Sequence, residues 1–304
     1  MQHLFVGEDP EALVLVGATN AFNRLNRQVT LLNCDKICPA MAHILINTYR
    51  NNSHLFVHGQ WLLSEEGTTQ GDPLAMAMYA IGTLPLIQRL DGMAKQTWYA
   101  DDSAAASKLE HLRSWWDLLN ELGPLYGYFP NGAKTHILVK SQHIDKAKEI
   151  FKDTAITISE EGKRYLGGAM GTASFVQQFV QRKVEGWVKE VEKLSRFAAT
   201  QPHAAYAAFT HGLMSRWNYL LRVIDWETLS SAELLQPLES AIQSQFIPAG
   251  SSWEASARST CITCETWWPR SAEPHQYGQG TAHCFTTNKC STSRSNYRSR
   301  APVR

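Results

Sequence analysis

Two adjacent carboxylates, Asp101 and Asp102, constrain the fold of this 304-residue chain more than any other feature. They stand between two short strand-like stretches in KQTWYADDSAAAS, residues 95–107, which predicts a β-hairpin with the acidic pair at its tip. Neighbouring carboxylates repel each other, and burying them without a cation is costly. A divalent cation such as Mg²⁺ resolves both problems, although an exposed turn would also tolerate the pair.

A glycine-rich segment, EEGTTQGDPLAM, precedes this hairpin. Gly67, Gly71 and Pro73 predict a sharp entry into a helix, which Asp72 would cap. Gln70 lies beside a glycine, where the backbone can come close to a ligand, so its amide could contact a base pair or a template strand. The alternative interpretation is an ordinary glycine-rich helix cap.

A third feature is the apolar run LVLV, which ends at Gly17 and is followed by a polar stretch with one aromatic residue, Phe22. Such a run, bounded by polar residues, predicts a buried strand that delivers its last residue to a site. Glycine, however, has no side chain with which to do chemistry.

The rest of the chain divides by pattern into three parts. Residues 1–171 alternate short strands with helices, whereas residues 172–247 carry the periodicity of long amphipathic helices. We therefore predict an α+β domain followed by an all-α region. Three local signals lie within this pattern: a kink or end of a helix at Pro85, a hairpin turn at Glu161-Gly162, and a capping box that begins at Ser174.

The third part, residues 248–304, is typical of a disordered tail or of a frameshifted reading, because it lacks Leu and is rich in Ser, Thr, Arg and Cys. Cys261 and Cys264 have the spacing of zinc ligands. No matching second half follows, so accidental cysteines are the favoured interpretation.

Charge and hydropathy exclude several classes of protein. The net charge is +1, but residues 249–304 hold seven Lys or Arg and three Glu, so the body carries −3 and is not a strongly basic nucleic-acid binder. No apolar run is long enough to span a bilayer. We expect no membrane contact and an intracellular location, in the nucleus or the cytoplasm.

Taken together, the motifs resemble those of reverse transcriptases, particularly the enzymes of non-LTR retroelements and group II introns. The resemblance covers roughly residues 10–246, with the motifs in the family's order. Its matching segments are Tyr99-Ala100-Asp101-Asp102, Gln70-Gly71-Asp72-Pro73, Asn131-Gly132-Ala133-Lys134-Thr135 and Tyr165-Leu166-Gly167-Gly168. It implies a polymerase palm, an antiparallel sheet with helices on one face, over residues 1–171. It also implies a helical thumb over residues 172–247.

The resemblance further implies nucleotidyl transfer. A DNA primer 3′-hydroxyl would attack the α-phosphate of a dNTP on an RNA template, with two Mg²⁺ or Mn²⁺ ions as cofactors. Asp101 and Asp102 match the family's metal ligands, and Lys134 matches its functional lysine. The nucleotide and template contacts carry over to Phe22, Gln70, Gly71 and Pro73, and the primer grip to Leu166, Gly167 and Gly168.

Two departures from the family pattern predict an impaired enzyme. The family's first palm strand ends in an Asp that bridges both metals, and Gly17 stands at that position, five residues before the matching aromatic Phe22. The basic fingers that precede this strand in the family are expected to be missing, because the strand begins at about residue 12. Endonuclease or integrase modules of a parent element are further candidates for missing partners. We therefore expect weak or absent activity and weakened metal binding. The alternatives are a non-catalytic remnant that binds nucleic acid or protein, and the product of a decaying pseudogene.

Overall fold

A computed structural model describes residues 1–7, 10–69, 71–225, 228–229 and 233–249. Residues Met1–Ser251 form one compact unit. The predicted tail lies outside the described residues from position 250 onward, together with its cysteines. The domain boundary expected at residues 171/172 stays a prediction.

Within the ranges that the structure describes, nine strands form three sheets. They are β1 (Ala12–Ala18), β2 (Ser53–Val57), β3 (Gln60–Ser64), β4 (Lys95–Tyr99), β5 (Asp102–Ser107), β6 (Pro130–Val139), β7 (Thr157–Ser159), β8 (Gly162–Tyr165) and β9 (Gly168–Gly171). The main sheet has the order β4-β5-β1-β6-β7, and the pairs β2-β3 and β8-β9 are separate hairpins. Strand β1 is central because it is a continuous buried apolar run, as the sequence predicts.

Helices connect the strands and then continue alone. They are α1 (Gln2–Val6), α2 (Ala21–Arg24), α3 (Arg27–Ile37), α4 (Pro39–Tyr49), α5 (Ala75–Arg89), α6 (Leu109–Leu122), α7 (Ile144–Ile150), α8 (Ala173–Ala198), α9 (Pro202–Ala207) and α10 (Met214–Val223). Further helical turns cover Gln236–Ala241, Ile242–Phe246 and Ile247–Ala249. The predicted α+β class, with a five-stranded sheet followed by helices, is therefore confirmed, as a palm followed by a thumb requires.

One strand pair departs from a purely antiparallel sheet. Strand β7 runs parallel to β6, whereas the other three pairings of the main sheet are antiparallel. The helix α7 lies between β6 and β7 in the chain, and such a crossover connection is what parallel neighbours need.

Both faces of the main sheet are covered. On one face, alternate β1 residues such as Val14 and Val16 pack with residues of α6 that include Leu112 and Trp115. On the other face, Leu13 and Leu15 share a smaller core with residues of α1 and the β8-β9 hairpin. Successive side chains of β1 point to opposite faces of the sheet, so this one strand contributes to both hydrophobic cores.

Two local predictions from the sequence were wrong, and a third was wrong in part. Helix α5 does not end at Pro85, because the burial of neighbours such as Leu86 offsets the cost of this proline to the helix of about 3 kcal/mol, whereas the kink expected there stays a prediction. The hairpin turn is at Leu166-Gly167, because the residues before Glu160 join the main sheet instead. Helix α8 is capped by Thr172, whose Oγ1 accepts a hydrogen bond from the Phe175 amide at 3.3 Å, rather than by Ser174.

Among the described residues, none of the helices combines the length and the apolar character that crossing a membrane would need.

Candidate functional site

The sheet register brings the predicted motifs to one end of the main sheet. Val16 pairs with Ser103, and continuing the same antiparallel register by one residue places Gly17 opposite Asp102 on the neighbouring strand. On its other side Gly17 pairs with Asn131, at the start of β6. The end of β1, the β4-β5 turn and the start of β6 therefore meet, as the order of the motifs predicts.

The β4-β5 turn holds the acidic pair in a strained backbone. Tyr99 pairs with Asp102, so only Ala100 and Asp101 form the tip. Ala100 has a φ of 51°, in the left-handed region that residues other than glycine rarely adopt. Strain of this kind costs about 1–3 kcal/mol and is concentrated at functional sites.

Burial raises the pKa of Asp102, and repulsion from Asp101 raises it further. Tyr128 is buried beside the pair, and its hydroxyl donates to the Asp101 carbonyl oxygen at 3.0 Å. Burial also raises the phenol pKa values of Tyr79, Tyr128 and Tyr165, with the two carboxylates contributing, so these hydroxyls stay neutral. The acidic pair thus lies close to three phenol hydroxyls.

We expect Asp102→Asn to stabilise the fold at pH 7 by about 0.5–1 kcal/mol, a gain kept small by the partial exposure of the side chain. A carboxyl whose folded-state pKa is raised destabilises the fold increasingly as pH rises above its unfolded pKa of about 3.9. The gain should therefore disappear below about pH 4. Urea unfolding at both pH values measures it, with exposed Asp91→Asn as the control. Equal stability of Asp102→Asn and the wild type at pH 7 would contradict this prediction.

A bulge in β6 closes the space beside Gly17. The pairing of β1 with β6 shifts between Leu15 and Gly17, so β6 supplies extra residues there. Thr135 Oγ1 donates to the Asn131 carbonyl oxygen at 2.8 Å across this bulge. Lys134 lies within the bulge, and a Cβ atom added to Gly17 would stand 2.8 Å from the Cβ of Lys134. A side chain at position 17 would therefore collide with the β6 bulge.

The donors at this end of the sheet fall short of a two-metal site. No third Asp, Glu, His or Cys joins Asp101 and Asp102 to form a metal-binding group within the described ranges. Gly17 is the residue at which the sequence resemblance leads us to expect a third ligand, and the β6 bulge fills the space that a side chain there would need. A pair of divalent ions needs shared carboxylates between them, so the residues present do not fit two ions.

Backbone hydrogen bonds connect the segment around Phe22 to the glycine-rich segment. The amide of Thr68 donates to the Phe22 carbonyl oxygen at 2.8 Å, and the amide of Gly67 donates to the Leu25 carbonyl oxygen at 2.9 Å. Gly67 has a φ of 71°, and a Cβ there would stand 2.4 Å from the Phe22 oxygen. The close approach therefore requires glycine. The Phe22 ring itself packs on Tyr79, with centroids 4.7 Å apart.

The remaining residues of this segment are arranged differently from the prediction. Helix α5 begins at Ala75, so Pro73 precedes it by two residues. Asp72 Oδ1 accepts from the Leu74 amide at 2.7 Å, and its other oxygen accepts a hydrogen bond from Tyr49. Gly71 is exposed, with a φ of 92°. Gln70 lies outside the described residues.

The predicted primer-grip residues form the β8-β9 turn. Leu166 and Gly167 both have positive φ, and the Tyr219 hydroxyl donates to the Leu166 carbonyl oxygen. Gly168 is buried against Val223 of α10. Because the carboxylates raise the phenol pKa of Tyr165, which adjoins the turn, the turn end of this hairpin lies near the acidic pair.

Three residues of the site were not predicted from the sequence. Tyr79 and Tyr128 lie near the carboxylates, and buried Arg27 supports the glycine-rich segment. An arginine at the first position of a helix gives no sequence signal of burial, since arginine is mostly exposed. The tyrosines could be recognised only as core residues.

Comparisons with known proteins give little further identification. No family model and no curated protein matches this chain. A solved structure of telomerase from Candida albicans, in complex with a TWJ fragment of telomeric RNA, is similar at a TM-score of 0.36 and 10% identity. The match covers 84% of this chain and 48% of that one, so this chain spans about half the length of that structure. An overlay this loose identifies neither a family nor an activity.

Proposed function

We propose that this chain is a reverse transcriptase-like palm and thumb that binds an RNA–DNA duplex but has little or no nucleotidyl-transfer activity. The observation that carries the proposal is the arrangement at the end of the main sheet. Asp101 and Asp102 lie at this end of the sheet, whereas Gly17 stands where the third carboxylate is expected and is closed off by Lys134.

The missing carboxylate accounts for the expected loss of rate. Preorganised charge at the reacting phosphate supplies much of the rate in phosphoryl transfer, and losing one such contact costs about 3–4 kcal/mol. Two adjacent carboxylates with a β6 bulge beside them cannot bridge a pair of cations. The acidic pair alone supports at most the weak binding of one ion.

Duplex binding is supported by a basic surface on the β8-β9 hairpin and α8. Arg164 and Lys183 flank the same ring, Phe179, with the guanidinium carbon at 5.4 Å and Nζ at 5.7 Å from its centroid. Lys163, the preceding residue of β8, points to the opposite side of the hairpin, where its Nζ lies 2.8 Å from Nε2 of His136. The cations Arg164 and Lys183 suit a phosphate backbone, which dominates nucleic-acid affinity.

Primer extension tests the catalytic half of the proposal. We expect no more than trace dNTP incorporation on an RNA template with Mg²⁺ or Mn²⁺, and no difference between the wild type and the Asp101→Asn variant. Because Asp101 would be indispensable in a working site, an activity that Asp101→Asn abolishes would overturn the proposal of an impaired enzyme.

Salt-dependent binding tests the other half. We expect the affinity for an RNA–DNA hybrid to fall as salt rises, and Arg164→Gln to reduce the slope of log K against log[salt] by about 0.7–0.9. Lys148→Gln is the control, since Lys148 lies on α7, over the opposite face of the main sheet. Affinity that is independent of salt, or a larger effect of Lys148→Gln, would contradict duplex binding at this surface.

A further inference from the structure

The β2-β3 hairpin carries the most exposed apolar surface among the described residues. Its register pairs Leu55 with Leu62 and Phe56 with Trp61, so these two pairs point to opposite faces. The aromatic face carries Phe56, Trp61 and Leu63, which are 63%, 69% and 55% exposed. A two-stranded hairpin in water is marginally stable, so an apolar face of this size indicates that something covers it.

We propose that the aromatic face of the β2-β3 hairpin is the interface between two copies of this chain, related by a two-fold axis. In such a contact, residues near the axis meet their own copies, so any charge there would meet a like charge. Residues 53–64, SHLFVHGQWLLS, contain no Asp, Glu, Lys or Arg. The hairpin therefore brings no like charges together when it meets its own copy. A nucleic acid suits it less, because phosphate binding rests on Lys and Arg.

The hairpin is held rigidly, which reduces the entropy lost on association. The guanidinium of Arg27, which is buried, donates to the Ser64 carbonyl oxygen at 2.8 Å and to Ser64 Oγ at 3.0 Å. The rings are also arranged in advance, with Trp61 contacting Phe56 at 5.3 Å and His54 at 6.0 Å between centroids. The aromatic face is therefore presented as a fixed surface.

The exposed area sets the expected strength of the dimer. Large aromatic side chains bury about 150–250 Å² each, so the aromatic face offers roughly 400 Å² per copy. The total of roughly 800 Å² lies below the range of about 1,200–2,000 Å² that is usual for stable complexes. We expect a reversible dimer with a dissociation constant in the micromolar range.

Sedimentation velocity of the full chain, across concentrations of about 1–200 μM, tests the proposal. We expect a monomer–dimer equilibrium in the wild type. Phe56→Ser/Trp61→Ser should raise the dissociation constant at least tenfold. The matched pair on the opposite face, Leu55→Ser/Leu62→Ser, should change it less than about threefold. Near-ultraviolet circular dichroism of both double variants checks that each remains folded.

Three outcomes would overturn the proposal. They are a wild type that stays monomeric at the highest concentration, an equal loss of dimer in both double variants, and open-ended aggregation rather than a closed dimer. A monomeric wild type whose affinity for an RNA–DNA hybrid falls in Phe56→Ser/Trp61→Ser would assign the face to nucleic acid instead. Because neither variant alters Asp101, Asp102 or Arg164, failure here leaves the proposed function untouched.

Discussion

Restoring the missing carboxylate by Gly17→Asp alone is expected to destabilise the fold by about 2–4 kcal/mol and to leave primer extension undetectable. The new Cβ would stand 2.8 Å from the Cβ of Lys134, and that atom cannot move without the β6 backbone. Overpacking of this kind costs about 1–3 kcal/mol. The third negative charge beside Asp101 and Asp102 adds repulsion.

Two substitutions of Lys134 separate the steric cause of the destabilisation by Gly17→Asp from the electrostatic cause. Lys134→Ala removes the ammonium but keeps the colliding Cβ, whereas Lys134→Gly removes both. We therefore expect Lys134→Gly to recover at least half of the stability that Gly17→Asp loses, and Lys134→Ala to recover little. Gly17→Ala, which adds only the Cβ, should already lose about 1–3 kcal/mol.

Urea unfolding of these variants gives the coupling energy between positions 17 and 134, which should lie between about 0.5 and 3 kcal/mol for residues in contact. Mn²⁺ binding should be tighter in Gly17→Asp/Lys134→Gly than in the wild type, because only that variant has a third carboxylate and the space for it. A Gly17→Asp variant as stable as the wild type would show that the bulge gives way freely.

The sequence predicts those parts of the site that depend on local pattern. Strand β1 and the β4-β5 turn follow from an apolar run and from turn residues, and each is confirmed. The closure of Gly17 by Lys134 could not be predicted, because it depends on a shift of pairing between strands far apart in the chain. Register is set by tertiary contacts rather than by either strand alone.

The helix and turn propensities of single residues mispredict secondary structure where tertiary packing outweighs them. Pro85 is the clearest case, since a proline that ordinarily ends a helix lies in the middle of α5, where packing of neighbouring side chains compensates. The hairpin turn was expected at Glu161-Gly162 and lies instead at Leu166-Gly167, where tertiary contacts again outweigh local preference. Leu166 adopts a left-handed conformation that its sequence does not favour, because the turn is fixed against Tyr219.

Arg27→Ala is expected to have the largest effect on stability, about 3–5 kcal/mol. The guanidinium is buried and donates to the carbonyl oxygens of Ser64, Glu66 and Gly67 at 2.8, 3.0 and 3.1 Å. Removing it leaves three acceptors without their donor, each at a cost of about 1–3 kcal/mol where water cannot enter. It also frees the segment that joins the β2-β3 hairpin to the glycine-rich motif.

Arg27→Lys should recover only part of this loss, because an ammonium is a point charge and cannot span three acceptors in the plane that a guanidinium reaches. Arg50→Ala is the matched control, since Arg50 carries the same charge on an exposed position. Urea unfolding measures the free energies. Hydrogen exchange measures the Gly67 and Thr68 amides, which donate to Leu25 and Phe22 and should exchange faster in Arg27→Ala.

Two results would contradict the role given to Arg27. One is a loss of less than about 1 kcal/mol in Arg27→Ala, which would match an ordinary surface substitution. The other is unchanged exchange at the Gly67 amide, which would mean that the close approach of Gly67 to Phe22 is held without Arg27. If both measurements respond as expected, the same buried cation fixes the β2-β3 hairpin and the backbone next to Phe22. A variant at Arg27 should then weaken dimerisation through the aromatic face as well.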